Sequence, residues 1–177
     1  SEMCIRDSTY AASFGNTTLE KLKKYKKTEE VGALLKKFDA ISVRDANSGT
    51  IVEQLTGKEP VYNLDPVLTY DYMNCCDKIP RVQTHEKYLI LYAYAGRISN
   101  EEAEWISDYA KKKKLKVYAI GGIQKCADRF VDCSPFEVLA YFRNAEEVIT
   151  DTFHGSIFSV ITHRPFTTLI RKSVGNS

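Results

Sequence analysis

From Tyr88 to Ile170 the chain alternates short apolar runs with helical segments whose starts are written in capping residues, and this rhythm restricts the fold more than any other feature. Tyr88 to Tyr94 is a continuous apolar run and reads as a strand. Ser99-x-x-Glu102 follows as a capping box, in which hydroxyl and carboxylate satisfy amide donors reciprocally, and it predicts a helix to about Lys114. Lys116 to Ile120 reads as the next strand, closed by Gly121-Gly122. Ser134-Pro135-Phe136-Glu137 is a second box, with proline at the first helical position, where no amide is lost; that helix should run to Asn144. A strand over Glu147 to Thr150, a helix from about Gly155 to Thr162 and a last strand over Phe166 to Ile170 complete the series. Strands and helices in strict alternation imply parallel strands joined by right-handed helical crossovers, an α/β fold with Rossmann-like parallel sheets.

The first half is less regular. Tyr10 to Gly15 is a short apolar run ending in glycine, a strand end and turn. Thr17-x-x-Glu20 reads as a capping box opening a helix to about Phe38, with a break near Thr28 or Gly32. Asp39 to Val43 is expected as a buried strand, with Asp45 capping a helix over Ala46 to Leu55 that stops at Gly57. Val61 to Leu68 is expected to be a short extended piece. Residues 71–86 carry paired cysteines, Pro80 and many polar side chains, which predicts an irregular linker. The expected organisation is then a non-native leader over 1–8, one Rossmann-like unit over 9–70, the linker, and a second Rossmann-like unit over 87–177 that is cut at its end.

A net charge of +2 is too small to point to nucleic acid or a membrane surface as the main partner. The lysines at 21, 23, 24, 26 and 27 and the run Lys111 to Lys114 lie within helical patterns and read as solvated faces. No apolar stretch approaches the ~20 residues of a membrane span. The five cysteines are Cys4, Cys75, Cys76, Cys126 and Cys133. Odd in number, with one adjacent pair and no C-x-x-C spacing, they argue against a disulfide framework or a zinc site and for reduced thiols in a cytoplasm.

In sheets of this kind ligands bind beyond the carboxyl ends of the strands. Asp151-Thr152-Phe153-His154-Gly155-Ser156 follows a strand and opens a helix, where free amides and a partial positive charge favour an anion. There Gly155 would let a ligand approach the backbone, Thr152 and Ser156 would offer hydroxyls, and His154 would donate a proton or bind a phosphate. The same residues also fit a capped helix with a surface histidine. Ser42-Val43-Arg44-Asp45 places an arginine at a strand end, suited to a carboxylate or phosphate, or alternatively held internally by Asp45 or Asp65. Gly121-Gly122-Ile123-Gln124 either admits a ligand or is a turn. His85 and His163 have no motif around them and read as surface or structural residues.

Taken together, Tyr10-Ala-Ala-Ser-Phe-Gly15, Ile41-Ser-Val-Arg-Asp45 with Ser48, Leu64-Asp-Pro-Val-Leu68 and Val148-Ile-Thr-Asp-Thr-Phe-His-Gly155 with Phe158-Ser159 and Pro165-Phe166 resemble the polysaccharide pyruvyl transferase family. The resemblance covers nearly everything after Ser8 and implies the second half of a two-domain transferase of the B-type glycosyltransferase fold, lacking most of the first domain. It implies transfer of a pyruvyl group from phosphoenolpyruvate to a sugar or glycan as a ketal, with no cofactor and no metal. By the same resemblance His154 matches the essential histidine and Arg44 the donor-binding arginine, the two meeting across the cleft, while Thr152, Gly155 and Ser156 line the anion site. Two other readings stay open: a glycosyltransferase using a nucleotide-sugar donor on the same fold, and a non-catalytic binding module or inactive fragment.

Overall fold

The computed structural model describes residues 7–171, and the chain divides into two compact units between Tyr70 and Asp71. Residues 1–6, with Cys4, and residues 172–177 lie outside the described residues, so the leader expected over 1–8 falls mostly outside them, while Ser8 is part of the first strand. The chain is mixed α/β, and every strand pairing among the described residues is parallel.

The first unit holds a three-stranded sheet of β1 (Ser8–Ala12), β2 (Ala40–Val43) and β3 (Val61–Tyr62), in that spatial order. Between β1 and β2 the chain forms α1 (Leu19–Lys24) and α2 (Thr28–Leu35). The break expected near Thr28 falls just before it, at Lys26, whose φ of 55° is left-handed. The capping residue is Thr18, not Thr17: its hydroxyl accepts from the Lys21 amide, while the Thr17 amide is spent on the Phe14 carbonyl. Next comes α3 (Ala46–Thr56), capped by Asp45 and ended by left-handed Gly57. Its Ile51 packs with Leu19 and Leu22 in one small core, and Val52 with Ile41 and Val43 in another. The piece after β3 is partly helical, because Asp65 caps a short α4 (Pro66–Thr69) with proline in its first turn.

The second unit opens with α5 (Tyr72–Cys75). The stretch expected to be a linker packs onto this unit: Ile79 is buried with Leu139 and Ala140, and Tyr72, Met73 and Val82 close around them. There follow β4 (Tyr88–Tyr92), α6 (Asn100–Lys113), β5 (Lys116–Ile120), β6 (Arg129–Phe130), α7 (Pro135–Asn144), β7 (Glu147–Thr150), α8 (Phe153–Ile161) and β8 (Phe166–Thr168). Both predicted boxes form, at Ser99 and at Ser134. The strand β6 was not foreseen; at two residues it is too short to carry a periodicity.

The strand order is β6-β5-β4-β7-β8. Numbered within the unit, that is 3-2-1-4-5, the order of a Rossmann half. The central strands β4 and β7 are buried along almost their whole length, as a sheet covered on both faces requires. One core, with Ile90, Tyr118, Phe142 and Val148, takes the packing of Phe158. The other contains Leu89, Leu91, Ile106, Val117 and Ile149. The order reverses between β4 and β7, where Tyr92 and Thr150 stand side by side, and sheets of this kind take ligands at such a reversal.

Candidate functional site

At that reversal Thr150, fully buried, ties the two strand ends together. Its hydroxyl donates to the Tyr92 carbonyl at 2.8 Å and accepts from the Thr152 amide at 3.1 Å. Thr152 caps α8: its hydroxyl accepts from the Gly155 amide at 2.9 Å. Thr152 is thus a structural cap, with its oxygen committed and its side chain buried.

Gly155 packs closely on the sheet. A Cβ built on it would lie 2.1 Å from Thr150 Oγ1 and 2.9 Å from Tyr92 Cδ1. The missing side chain lets the helix approach the sheet, and the Gly155 amide donates to the Thr152 cap. The Ser156 hydroxyl is half-buried, 2.9 Å from the Thr168 hydroxyl on β8. His154, in contrast, is exposed in the first turn of α8, with its ring between Phe153 at 5.6 Å and Phe158 at 6.1 Å. The helix start adds partial positive charge beside it.

Charged side chains from other elements surround this loop. The Asp151 side chain is fully buried, with Oδ2 accepting from Arg171 Nε at 3.2 Å and lying 3.6 Å from Arg97 Nη1. Among the described residues its Oδ1 has no hydrogen-bond partner. Arg171 also reaches Glu102 at 2.6 Å. Burial acts to raise the Glu102 carboxyl, but the Ser99 amide and Arg171 outweigh it and hold the group below its usual range. Arg97 stands on the loop after β4, its guanidinium 5.1 Å from the centre of the Tyr94 ring. No local motif announces these partners; only the strand pairing brings them together.

The glycine pair after β5 is a turn. Gly121 has a left-handed φ of 88°, and a Cβ on Gly122 would fall 2.2 Å from the Ala95 amide. Gln124 is buried, and its side-chain amide donates to the carbonyls of Ala93 and Tyr94. This turn therefore braces the loop that carries Arg97.

In the first unit, Arg44 donates from Nη1 to Asp65 Oδ2 at 2.6 Å, and the Asp65 side chain is only 3% exposed. The internal pair is thus present locally. Asp45 turns away to α3, taking the Ser48 amide at 2.8 Å and the Ser48 hydroxyl at 2.9 Å. The Ser48 oxygen in turn accepts from the Phe14 amide at 2.8 Å. The spacing Arg44-Asp45-x-x-Ser48 thus has one functional candidate and two residues that fix the strand ends around it.

Among the described residues no three His, Cys, Asp or Glu side chains gather as metal ligands, and no helix is long and apolar enough to cross a membrane. Cys76, Cys126 and Cys133 are free thiols. The profile of the family described as polysaccharide pyruvyl transferase matches residues 8–173. No curated protein and no solved structure matches the chain.

Proposed function

The chain belongs to the polysaccharide pyruvyl transferase family, and from that premise we propose that it serves the transfer of a pyruvyl group from phosphoenolpyruvate to a sugar or glycan acceptor, forming a ketal. The observation that carries the reading is His154. It is exposed in the first turn of α8, at the strand-order reversal where such sheets take ligands.

The chemistry needs one proton donor and holders for a carboxylate and a phosphate. Protonation of the methylene carbon turns the enol carbon of phosphoenolpyruvate into a cationic centre. A sugar hydroxyl adds there, losing its proton, and the carbon–phosphate oxygen bond breaks to release phosphate. A neighbouring hydroxyl of the same sugar closes the ring, losing a second proton. His154 is the proposed proton donor. The α8 start and the Ser156 hydroxyl are the proposed phosphate contacts. Thr152 and Gly155 act by holding that turn in place. Arg44 is the proposed donor-binding arginine of the first unit. The reading requires its guanidinium to serve a ligand while Asp65 orients it, as a forked cation with five N–H donors can.

Calorimetric titration of the chain with phosphoenolpyruvate, beside UDP-glucose and inorganic phosphate, tests this. Selective uptake of phosphoenolpyruvate, weakened in Arg44→Lys, is the expected result. Binding of the nucleotide sugar alone overturns the reading in favour of a glycosyltransferase.

A further inference from the structure

We propose that Arg97 is a second anion-binding residue of the His154 site and that Asp151 is the buried residue that positions it. The inference rests on the pyruvyl-transfer reading only for the identity of the anion; the geometry stands apart from it. Tyr92 and Thr150 are paired neighbours on β4 and β7. Arg97 lies a few residues beyond the first and His154 a few beyond the second, so both crown the same strand-order reversal.

Three observations separate Arg97 from an ordinary surface arginine. First, its loop is fixed. Gln124 holds the Ala93 and Tyr94 carbonyls, the Arg97 amide donates to the Tyr94 carbonyl at 3.3 Å, and the Gly122 backbone packs beneath. Second, its charge is braced without being spent. Its side chain is 49% exposed, Nη1 stands 3.6 Å from Asp151, and the Tyr94 ring lies beneath it. Among the described residues its guanidinium makes no hydrogen bond. Third, the carboxylate behind it is wholly buried, with Oδ1 unpartnered among the described residues. Such a group costs several kcal/mol to bury unless cations face it.

The four charges of the cluster sum to zero, but they are not spent alike. Glu102 serves the start of α6 through the Ser99 amide and pairs with Arg171. Arg171 divides itself between Glu102 and Asp151. Only Arg97 is left with a tether longer than a hydrogen bond. An incoming carboxylate or phosphate that takes its outward N–H groups meets a cation already oriented and partly desolvated, so little ordering cost remains. A purely structural alternative would have Arg97 serve only to neutralise Asp151.

The test is titration of the 177-residue chain with phosphoenolpyruvate and with inorganic phosphate, for wild type, Arg97→Ala, Arg97→Lys, Asp151→Asn, the Arg97→Ala/Asp151→Asn double variant and His154→Ala, each checked by thermal unfolding. Arg97→Ala should weaken the anions about tenfold or more, the loss of a charge-assisted contact, while still unfolding cooperatively. Arg97→Lys should recover part of the loss. Asp151→Asn should weaken binding in the wild type and far less in the Arg97→Ala background, because it acts through Arg97. Folded Arg97→Ala that binds both anions like wild type overturns the inference, as do fully additive losses for its positioning half. If affinity falls in His154→Ala but not in Arg97→Ala, the pyruvyl reading stands and this one fails. If phosphate and phosphoenolpyruvate bind equally and both depend on Arg97, the anion site stands and the pyruvyl reading fails. No binding of either anion overturns the site in this chain.

Discussion

Gly155 and Thr150 touch so closely that the glycine cannot carry a side chain: its Cβ would stand 2.1 Å from the threonine hydroxyl. The contact ties the start of α8, and with it His154, to the end of β7. Thr150 cannot give way, because its hydroxyl is engaged by the Tyr92 carbonyl and by the Thr152 amide. Gly155→Ala is therefore expected to destabilise the second unit by about 1–3 kcal/mol, as overpacking of a tight core does. Denaturant unfolding measures this, and an unchanged midpoint would falsify the packing role.

The pair of Arg44 and Asp65 gives a second expectation. Asp65 is nearly closed to solvent while Arg44 keeps 29% of its side chain exposed, so screening discounts the pair's energy. Asp65 also caps α4 by accepting from the Val67 amide at 3.0 Å. Asp65→Ala should cost about 2 kcal/mol, combining a lost cap with a half-buried ion pair. Asp65→Asn should cost less, since asparagine still caps. Equal losses in the two variants would mean that the charge, and not the cap, dominates.

The legible part of this fold was the part with local chemistry. Ser99 with Glu102 and Ser134 with Glu137 announce their helices because both partners of each box lie three residues apart. The strand over Glu147 to Thr150 shows as an unbroken run between polar flanks. The first-half helix misled because Thr17 and Thr18 are both capping residues, and the choice between them fell to the Phe14 carbonyl taking the Thr17 amide. The break expected near Thr28 is made by a left-handed lysine at Lys26, a conformation that propensity alone does not assign to one residue.

For the site, sequence order placed Thr152 and Gly155 at a helix start but could not show the cap and the close packing they make there, because both depend on what Thr150 presses against. Arg97 and Arg171 were invisible for a related reason. They reach Asp151 from the ends of other elements, and only the β4–β7 and β7–β8 pairings bring them there.

The Asp45 carboxyl sets a pH dependence. Burial acts to raise it, but the Ser48 amide, the hydroxyls of Ser13 and Ser48 and the Arg44 charge together hold it below the ordinary range. A carboxyl depressed in the folded state contributes stability above its unfolded value, near pH 4, and loses it as pH falls through the folded value. Asp45→Ala should cost about 1 kcal/mol near neutrality, typical of a lost helix cap, and the gap to wild type should close on acidification. Unfolding free energies measured from pH 7 down to pH 3 follow the gap; a constant difference would assign the effect to packing.

Cys133 is half-buried on the core that contains Phe142, and burial, with Glu137 and Asp132 nearby, pushes its thiol up to about 11. The thiolate is the reactive form, so alkylation should be slow near neutral pH and accelerate only as pH approaches that value. Mass spectrometry of the Cys133 peptide after iodoacetamide treatment gives the rate. Fast labelling at pH 7 would show that the thiol is not held in this environment.

The two histidines of α8 and its end separate a site from a surface. His154 and His163 are both exposed and lie at opposite ends of the same helix. His163 sits just past the cap residue Thr162, in a left-handed conformation with φ of 55°, on the side of the sheet away from the strand-order reversal. A proton donor for the methylene carbon has to stand at the carboxyl ends of the strands, which only His154 does. His154→Ala should lower pyruvyl transfer by at least about 10²-fold, the usual worth of a positioned general acid, while leaving thermal stability nearly unchanged. His163→Ala should leave transfer intact and shift only stability, through the strained backbone. His154→Gln then divides two roles: a residue that only binds phosphate keeps part of its contact as an amide, whereas a proton donor does not. Substantial transfer by His154→Gln would reduce His154 to a binding group, and equal losses at positions 154 and 163 would remove the site from this helix altogether.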